Sequence, residues 1–141
     1  MMQQSAQVLA VDDDPTMRLA LQGMLQARGY RCAVVESGQE ALRYLDRHGA
    51  DVLITDLLMP GMDGVALLTA VRSQGLLTRC IVLTGYATIA NLTACLREGA
   101  VALVAKPLHD PQPLYAAIDH ALAQLAMWRA QMAEILRQRG G

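Results

Sequence analysis

The stretch VLAVDDDPTMRLALQGMLQARG, residues 8–29, decides the fold of this chain. Its opening residues, 8–11, are all apolar, which is typical of a strand buried on both faces. Asp14 and Pro15 then supply an N-cap and a proline at the first helical position, and apolar residues recur at helical spacing until Gly29. A short buried strand that leads directly into an amphipathic helix predicts a β–α unit.

The same alternation continues along the chain. Five short apolar runs stand at residues 8–11, 32–35, 52–54, 81–83 and 102–105. A helix start follows each run, marked by Asp14, Ser37, Asp63, Thr88 and Asp110. Strands that alternate with helices require crossover connections, which are right-handed. The sequence therefore predicts an α/β fold, a doubly wound five-stranded parallel sheet with helices on both faces.

Composition excludes several classes of protein. The chain has 141 residues, 53% of them hydrophobic and 18% charged, which is typical of one globular domain. The net charge of −1 gives no reason to expect nucleic acid or an anionic membrane as a partner. No membrane span or secretory signal is expected, and three scattered cysteines match neither a disulfide framework nor a zinc site. A cytoplasmic location is expected.

Polar residues follow the predicted strands. They are Asp12 and Asp13 after the first, Asp56 after the third, Thr84 after the fourth and Lys106, the single lysine beside eleven arginines, after the fifth. Because the carboxyl ends of parallel strands share one edge, we expect these side chains to converge. Carboxylate oxygens suit Mg²⁺, or Mn²⁺ as a substitute. An aspartate beside such a cation, a hydroxyl and an ammonium is suited to form an acyl phosphate.

The motifs at these positions identify a family. The sequence resembles the receiver (CheY-like) domains of two-component response regulators over about residues 6–125. The motifs that carry the resemblance are VDDDP at 11–15, DLLMPGMDG at 56–64, LTG at 83–85 and KP at 106–107. The resemblance implies a flavodoxin-like (βα)5 fold and a cis peptide bond before Pro107. It also implies a phosphoryl donor, the phosphohistidine of a sensor histidine kinase or of a histidine phosphotransfer protein.

The resemblance also assigns roles to single residues. Asp56 would be the phosphoacceptor, and Mg²⁺ would be held by Asp12, Asp13, Asp56 and the backbone carbonyl of Leu58. The Thr84 hydroxyl would follow the phosphoryl group, and Lys106 would bond one of its oxygens.

Three further positions bear on switching and on the lifetime of the phosphoryl group. Family members usually carry an aromatic residue three positions before the lysine, where this chain has Leu103. With Thr84 and Leu103 as the switch pair, an aliphatic side chain repacks in place of a ring. Leu58 and Tyr86 stand at the two positions that vary with lifetime. Neither offers a carboxylate or amide to orient water, so we expect slow self-dephosphorylation.

The last helix is predicted to be long. No glycine or proline interrupts the chain between Pro111 and Gly140, and apolar residues are spaced alternately four and three apart, as in a coiled-coil seam. We expect a receiver domain over residues 1–125 and a helical extension over 126–141, a linker or dimerisation segment. Its interface candidates are Leu125, Trp128, Met132 and Ile135. The alternatives are a helix that only covers its own domain, and one that pairs with a second copy or continues into an output module.

The sequence favours a signalling switch, whose output is not specified, over an enzyme. A dehalogenase-like phosphatase also forms an aspartyl phosphate, but it needs an acid two residues after the nucleophile, where Leu58 stands. The other alternative is a phosphorylation-independent dimerisation or adaptor module with an idle site. Direct DNA binding by these 141 residues is not expected, because no basic helix-turn-helix follows the receiver.

Overall fold

A computed structural model describes residues 5–140 of the chain, and five parallel strands form one sheet within them. The strands are β1 (Gln7–Val11), β2 (Arg31–Val35), β3 (Val52–Asp56), β4 (Arg79–Thr84) and β5 (Ala100–Ala105). Their order across the sheet is β2-β1-β3-β4-β5, so β2 lies on one side of β1 and the later strands are added on its other side. The doubly wound parallel sheet predicted from the sequence is confirmed. The expectation that no secretory signal is present concerns residues 1–4 in part, and the predicted helical extension ends at residue 141. These residues lie outside the part of the chain that the structure describes.

Five helices connect and follow the strands within residues 5–140: α1 (Pro15–Ala27), α2 (Gly38–His48), α3 (Gly64–Ser73), α4 (Ile89–Arg97) and α5 (Gln112–Gly140). The side chains of Asp14, Ser37, Asp63 and Thr88 accept a backbone N–H in the first turn of the first four helices. These caps satisfy donors that the helix itself leaves free, which explains why the helices begin where the sequence predicts.

The sheet separates two apolar layers. Successive β1 residues alternate between them, as the pleat of a strand requires, so that Val8 faces one layer and Leu9 the other. Helices α1 and α5 cover the layer that contains Val8, through residues such as Leu21 and Ile118. Helices α2, α3 and α4 cover the opposite layer. Because both faces are buried, polar chemistry is confined to the edges of the sheet.

Strand register brings the predicted site residues to one edge. Val11 pairs with Thr55, so Asp12 and Asp56 each stand one position further along neighbouring strands. Thr84 pairs with Ala105, which places Lys106 directly beyond the end of β5. The β5 strand therefore ends beside β4, and both end at the edge that carries the acids.

Helix α5 spans 29 residues, about 44 Å at 1.5 Å per residue. Leu125, at the expected edge of the domain, was predicted to be an interface candidate, and this prediction is wrong. Its side chain is 2% exposed and belongs to the buried core. The face of α5 that packs on the sheet therefore stays covered as far as Leu125. Met132 and Ile135 are 39% and 57% exposed, as an extension requires.

The contacts between α5 and the domain continue to Arg129. The guanidinium of Arg79, at the start of β4, lies over the Trp128 ring at 4.2 Å and donates to the Gln124 side chain at 3.2 Å. Arg129, the residue after Trp128, donates to the Asp51 carboxylate at 3.1 Å. The helix is therefore held by the amino-terminal edge of the sheet for four residues past the boundary expected at residue 125.

Candidate functional site

The first part of the site is the end of β1. Asp12 is 1% exposed, and its backbone N–H donates to the carbonyl of Val35 at 3.1 Å. Its carboxylate accepts the backbone N–H of Asp14 at 3.0 Å. Asp13 is exposed, and Asp14 caps α1 by accepting the N–H of Thr16. The three consecutive acids thus have different surroundings, and Asp14 serves the helix rather than the site.

Asp56 ends β3 in the middle of the same edge. One carboxylate oxygen accepts the backbone N–H of Leu57 at 2.7 Å, which fixes the side-chain direction. The Asp56 carbonyl accepts the hydroxyl of Thr55 at 2.9 Å. Gly64, at the start of α3, lies so close that a Cβ there would stand 2.5 Å from that carbonyl oxygen. The backbone of Asp56 is therefore fixed from both sides.

The three acids form a compact oxygen cluster. One carboxylate oxygen each from Asp12, Asp13 and Asp56 lies within 4.8 Å of the others. Three negative groups at this separation repel one another unless a cation lies near them. Hard oxygen donors in this number, with room for water, fit Mg²⁺ and leave its remaining positions to water or a phosphate oxygen. The donor set therefore fits the cation that the sequence predicts.

Lys106 meets two of these acids. Its ammonium donates to Asp12 at 2.8 Å and to Asp56 at 3.0 Å, and 19% of its side chain is exposed. Burial lowers the pKa of this ammonium, but the hydrogen bonds and charges of Asp12 and Asp56 outweigh burial and leave the pKa above its ordinary value. Lys106 is thus a cation at neutral pH. The peptide bond between Lys106 and Pro107 is cis, as expected.

Thr84 lies at the same edge with its hydroxyl directed to its own loop. The hydroxyl donates to the carbonyl of Tyr86 at 3.0 Å and accepts the Tyr86 N–H at 3.3 Å. The carbonyl of Thr84 accepts the N–H of Lys106 at 2.9 Å, which ties the two strand ends together. Leu103 is partly buried against the layer covered by α2, α3 and α4.

The two lifetime positions are open to solvent. Leu58 is 51% exposed and Tyr86 is 75% exposed. Both belong to loops that follow the strand ends, β3 for Leu58 and β4 for Tyr86. Both side chains are therefore accessible to solvent in the loops that follow Asp56 and Thr84.

Sequence reasoning missed one side chain at this edge. Arg18, on the first turn of α1, donates to the carbonyl of Asp12 at 2.8 Å and lies 3.7 Å from the carboxylate of Glu36. An arginine on a helix surface gives no sequence signal of its own. The available signal was its separation of six residues from Asp12, which lets a long side chain reach back over the first helical turn.

Comparison with known proteins agrees with this geometry. The family model described as the response regulator receiver domain matches residues 8–119. The transcriptional regulatory protein GlrR of Escherichia coli is 38% identical over 121 residues, 86% of this chain and 27% of that protein. The DNA-binding transcriptional regulator NtrC of Klebsiella pneumoniae is 34% identical over 113 residues, 80% of this chain and 24% of that protein. The chain thus spans about a quarter of the length of these curated relatives.

Solved structures share the fold. A CheY-like receiver domain protein from Methanospirillum hungatei gives a TM-score of 0.82 at 26% identity, covering 88% of this chain and 98% of that one. The chemotaxis protein CheY4 of Vibrio cholerae gives 0.79 at 31% identity, covering 84% and 100%. The fold, with three acids and a lysine at one edge of the sheet, is that of a signalling domain, and the match to the family model identifies its family. The chain belongs to the receiver domains of two-component response regulators.

Within residues 5–140, no helix combines the length and the apolar character that crossing a bilayer requires.

Proposed function

We propose that this receiver accepts a phosphoryl group on Asp56 from the phosphohistidine of a sensor histidine kinase or of a histidine phosphotransfer protein. The observation that carries the proposal is the contact of Lys106 with both Asp12 and Asp56. It holds an anionic nucleophile and a cation together at the edge of the sheet. The catalysis is confined to the domain's own phosphorylation and dephosphorylation.

The chain's own residues account for the transfer step. A carboxylate oxygen of Asp56 attacks phosphorus, an O–P bond forms, the N–P bond to the donor breaks, and the imidazole nitrogen keeps the bonding electron pair. The hydrogen bond from the Leu57 N–H orients the nucleophile. Lys106 is placed to neutralise charge on a phosphoryl oxygen.

A divalent cation belongs to the proposal. Asp12, Asp13 and Asp56, with the backbone carbonyl of Leu58, would hold Mg²⁺, and Mn²⁺ has the same preference for oxygen ligands. When bound, the cation supplies charge stabilisation for the phosphoryl oxygens. After transfer, the Thr84 hydroxyl would leave the Tyr86 backbone and turn to the phosphoryl group, with Leu103 repacking behind it.

The experiment is phosphorylation by acetyl phosphate with MgCl2, read by intact-protein mass spectrometry. We expect the mass increase of one phosphoryl group in the native sequence and none in Asp56→Asn. Asp46→Asn is the matched control, since Asp46 is an exposed acid of α2 away from the strand ends, and it should be phosphorylated normally. Beryllofluoride with Mg²⁺ should bind the native protein. No phosphorylation and no beryllofluoride binding would favour the phosphorylation-independent adaptor.

A second proposal concerns partners. Beyond the last contacts with the domain, Met132, Ile135 and Leu136 are exposed on one helix. We propose that this segment, residues 130–140, pairs with a second copy of the chain, and that Trp128, just before the segment, lies at the edge of the interface. These 11 residues, about one and a half heptads, make a weak helix pair by themselves, so the domains must contribute. No membrane or nucleic acid is part of the proposal, and the net charge of −1 supports this for the receiver.

We also propose a cytoplasmic location. The three cysteines are free and two of them are buried, which suits a reducing compartment. Two relatives are named as transcriptional regulators, and the proposal assigns no output to this chain.

A further inference from the structure

Arg18 joins two loops beside the acid cluster. Its Nη1 donates to the carbonyl oxygen of Asp12 at 2.8 Å, and its Nη2 lies 3.7 Å from Glu36 on the loop between β2 and α2. Only 23% of the Arg18 side chain is exposed, whereas 65% of the Glu36 side chain is. The bond to Asp12 is thus short, charge-assisted and shielded from water, which makes it the stronger of the two contacts.

The carbonyl that Arg18 binds has a special place. It belongs to the peptide unit that links Asp12 to Asp13, so a bond to it restricts ψ of the first acid and φ of the second. Asp12 is also held by Val35 through its backbone N–H, and by Lys106 through its carboxylate. Asp13 is exposed and therefore depends on the backbone for its direction.

We infer that Arg18 is a positioning residue of the cation site: by holding the peptide between Asp12 and Asp13, it keeps both carboxylates directed toward the divalent cation. The inference rests on the proposed function, because it assumes that these acids bind the cation. Arg18 touches neither the cation nor the phosphoryl group in this role. It acts through the backbone carbonyl of Asp12.

Simple electrostatics predicts the opposite effect of removing Arg18. A guanidinium near an acidic cluster repels a divalent cation, so loss of its charge would tighten cation binding. Loss of positioning would weaken binding, since groups that orient metal ligands are typically worth about 10–100-fold in affinity. The direction of the change therefore separates the two roles.

The experiment is a backbone-amide NMR titration with MgCl2 alone, on the native sequence, Arg18→Gln, Arg18→Lys and Arg28→Gln. Arg28→Gln is the matched control, because Arg28 follows α1 at its other end and its ion pair with Asp119 is 3.0 Å long. We expect the Kd for Mg²⁺ to rise about tenfold in Arg18→Gln. A smaller rise is expected in Arg18→Lys, which keeps a cationic donor, and no change in Arg28→Gln.

Each outcome decides a different point. An equal or lower Kd in Arg18→Gln overturns the positioning role while leaving the proposed function intact. An equal rise in Arg28→Gln also overturns it, because a general charge or stability effect would then be the cause. Failure of the native protein to show saturable Mg²⁺ shifts overturns the cation site itself. Melting temperatures without Mg²⁺ verify that each variant is folded, and the rise in melting temperature on adding Mg²⁺ gives a second readout of binding.

Discussion

The ammonium of Lys106 donates a 3.0 Å hydrogen bond to the carboxylate of Asp56, across 50 residues of sequence. Asp12 accepts from the same nitrogen at 2.8 Å. The lysine therefore links the first, third and fifth strand ends through two hydrogen bonds. A compact ammonium can do this between two carboxylates, whereas a planar guanidinium is larger and binds in a fixed fork.

Replacing Lys106 by arginine should separate binding from switching. We expect Lys106→Arg to fold and to bind Mg²⁺ and beryllofluoride, because the charge is kept. The amide shifts that beryllofluoride causes in α4 and β5 should shrink, because the larger guanidinium weakens the coupling between the site and these elements. Such coupling free energies are typically about 1–3 kcal/mol. NMR spectra with and without beryllofluoride measure this. Shifts in α4 and β5 equal to those of the native sequence would contradict the role of Lys106.

Gly64 should tolerate no side chain. A Cβ would stand 2.5 Å from the carbonyl oxygen of Asp56 and 2.9 Å from Cα of Leu57, both of them backbone atoms. We expect Gly64→Ala to lower the free energy of unfolding by about 1–3 kcal/mol and to slow phosphorylation. Urea unfolding and acetyl phosphate labelling measure the two effects.

Gly23 provides the control for that change. It lies inside α1, and a Cβ there would meet nothing within 4 Å. Gly23→Ala should therefore raise stability by about 0.5–1 kcal/mol and leave phosphorylation unchanged. A Gly64→Ala variant as stable as the native protein would show that α3 can move away from Asp56 freely.

The phosphorylated domain should lose its phosphoryl group slowly. Leu58 and Tyr86 follow the strand ends of Asp56 and Thr84 with exposed side chains, and neither offers a carboxylate or an amide to orient an attacking water. Introducing an amide by Leu58→Asn or Tyr86→Asn should shorten the lifetime by roughly tenfold or more. Leu19→Asn, at a leucine on α1 that is 72% exposed, is the control. Decay within seconds in the native sequence would refute the expectation.

The exposed end of α5 should determine association. Ile135→Glu and Leu136→Glu place charges on the segment 130–140 and should abolish a dimer seen by light scattering at high concentration. Both residues are exposed in the monomer, so its stability should stay within about 0.5 kcal/mol. A monomeric mass for the native sequence, with and without beryllofluoride, would eliminate the pairing proposal.

Alkaline pH should destabilise the protein through Cys80. Burial raises the pKa of this thiol to about 12, although Arg79 lowers it in part. Because the folded pKa lies above the unfolded value of about 8.5, the stabilisation is complete below that value and is lost as pH rises toward 12. At pH 10 the loss should be about 1–2 kcal/mol.

Urea unfolding at pH 7 and pH 10 tests this, with Cys80→Ala as the variant that cannot titrate. The variant is less stable at both values because it loses buried volume. The difference between the two pH values should nevertheless be smaller in the variant than in the native sequence. An equal difference in both proteins would assign the alkaline effect to other groups.

Local sequence features predicted most of the fold. Asp14, Ser37, Asp63 and Thr88 cap their helices as expected, because a cap depends on a few neighbouring residues only. The apolar runs predicted the five strands for the same reason: burial on both faces leaves a continuous apolar segment. The connection rules predicted a parallel sheet with helices on both faces, whereas the strand order came only from the structure.

Prediction from the sequence fails where segments that are distant along the chain contact each other. Leu125 continues the helical seam in the sequence, yet the structure buries it in the domain. The end of the covered part of α5 depends on Arg79 at the start of β4 and on Asp51 just before β3, which contact Trp128 and Arg129. The helical periodicity of α5 gives no information about how far along the helix the neighbouring edge of the sheet extends.

By itself, the sequence determined the strand–helix alternation, the helix starts and the set of polar residues at the strand ends. Only the tertiary structure decided that Lys106 contacts Asp12 and Asp56, that Arg18 holds the peptide between Asp12 and Asp13, and that Thr84 turns to its own loop. Local propensities act over a few residues of chain. Hydrogen bonds between side chains depend on register, rotamer and distance in space, which become defined only when the sheet and helices have packed together.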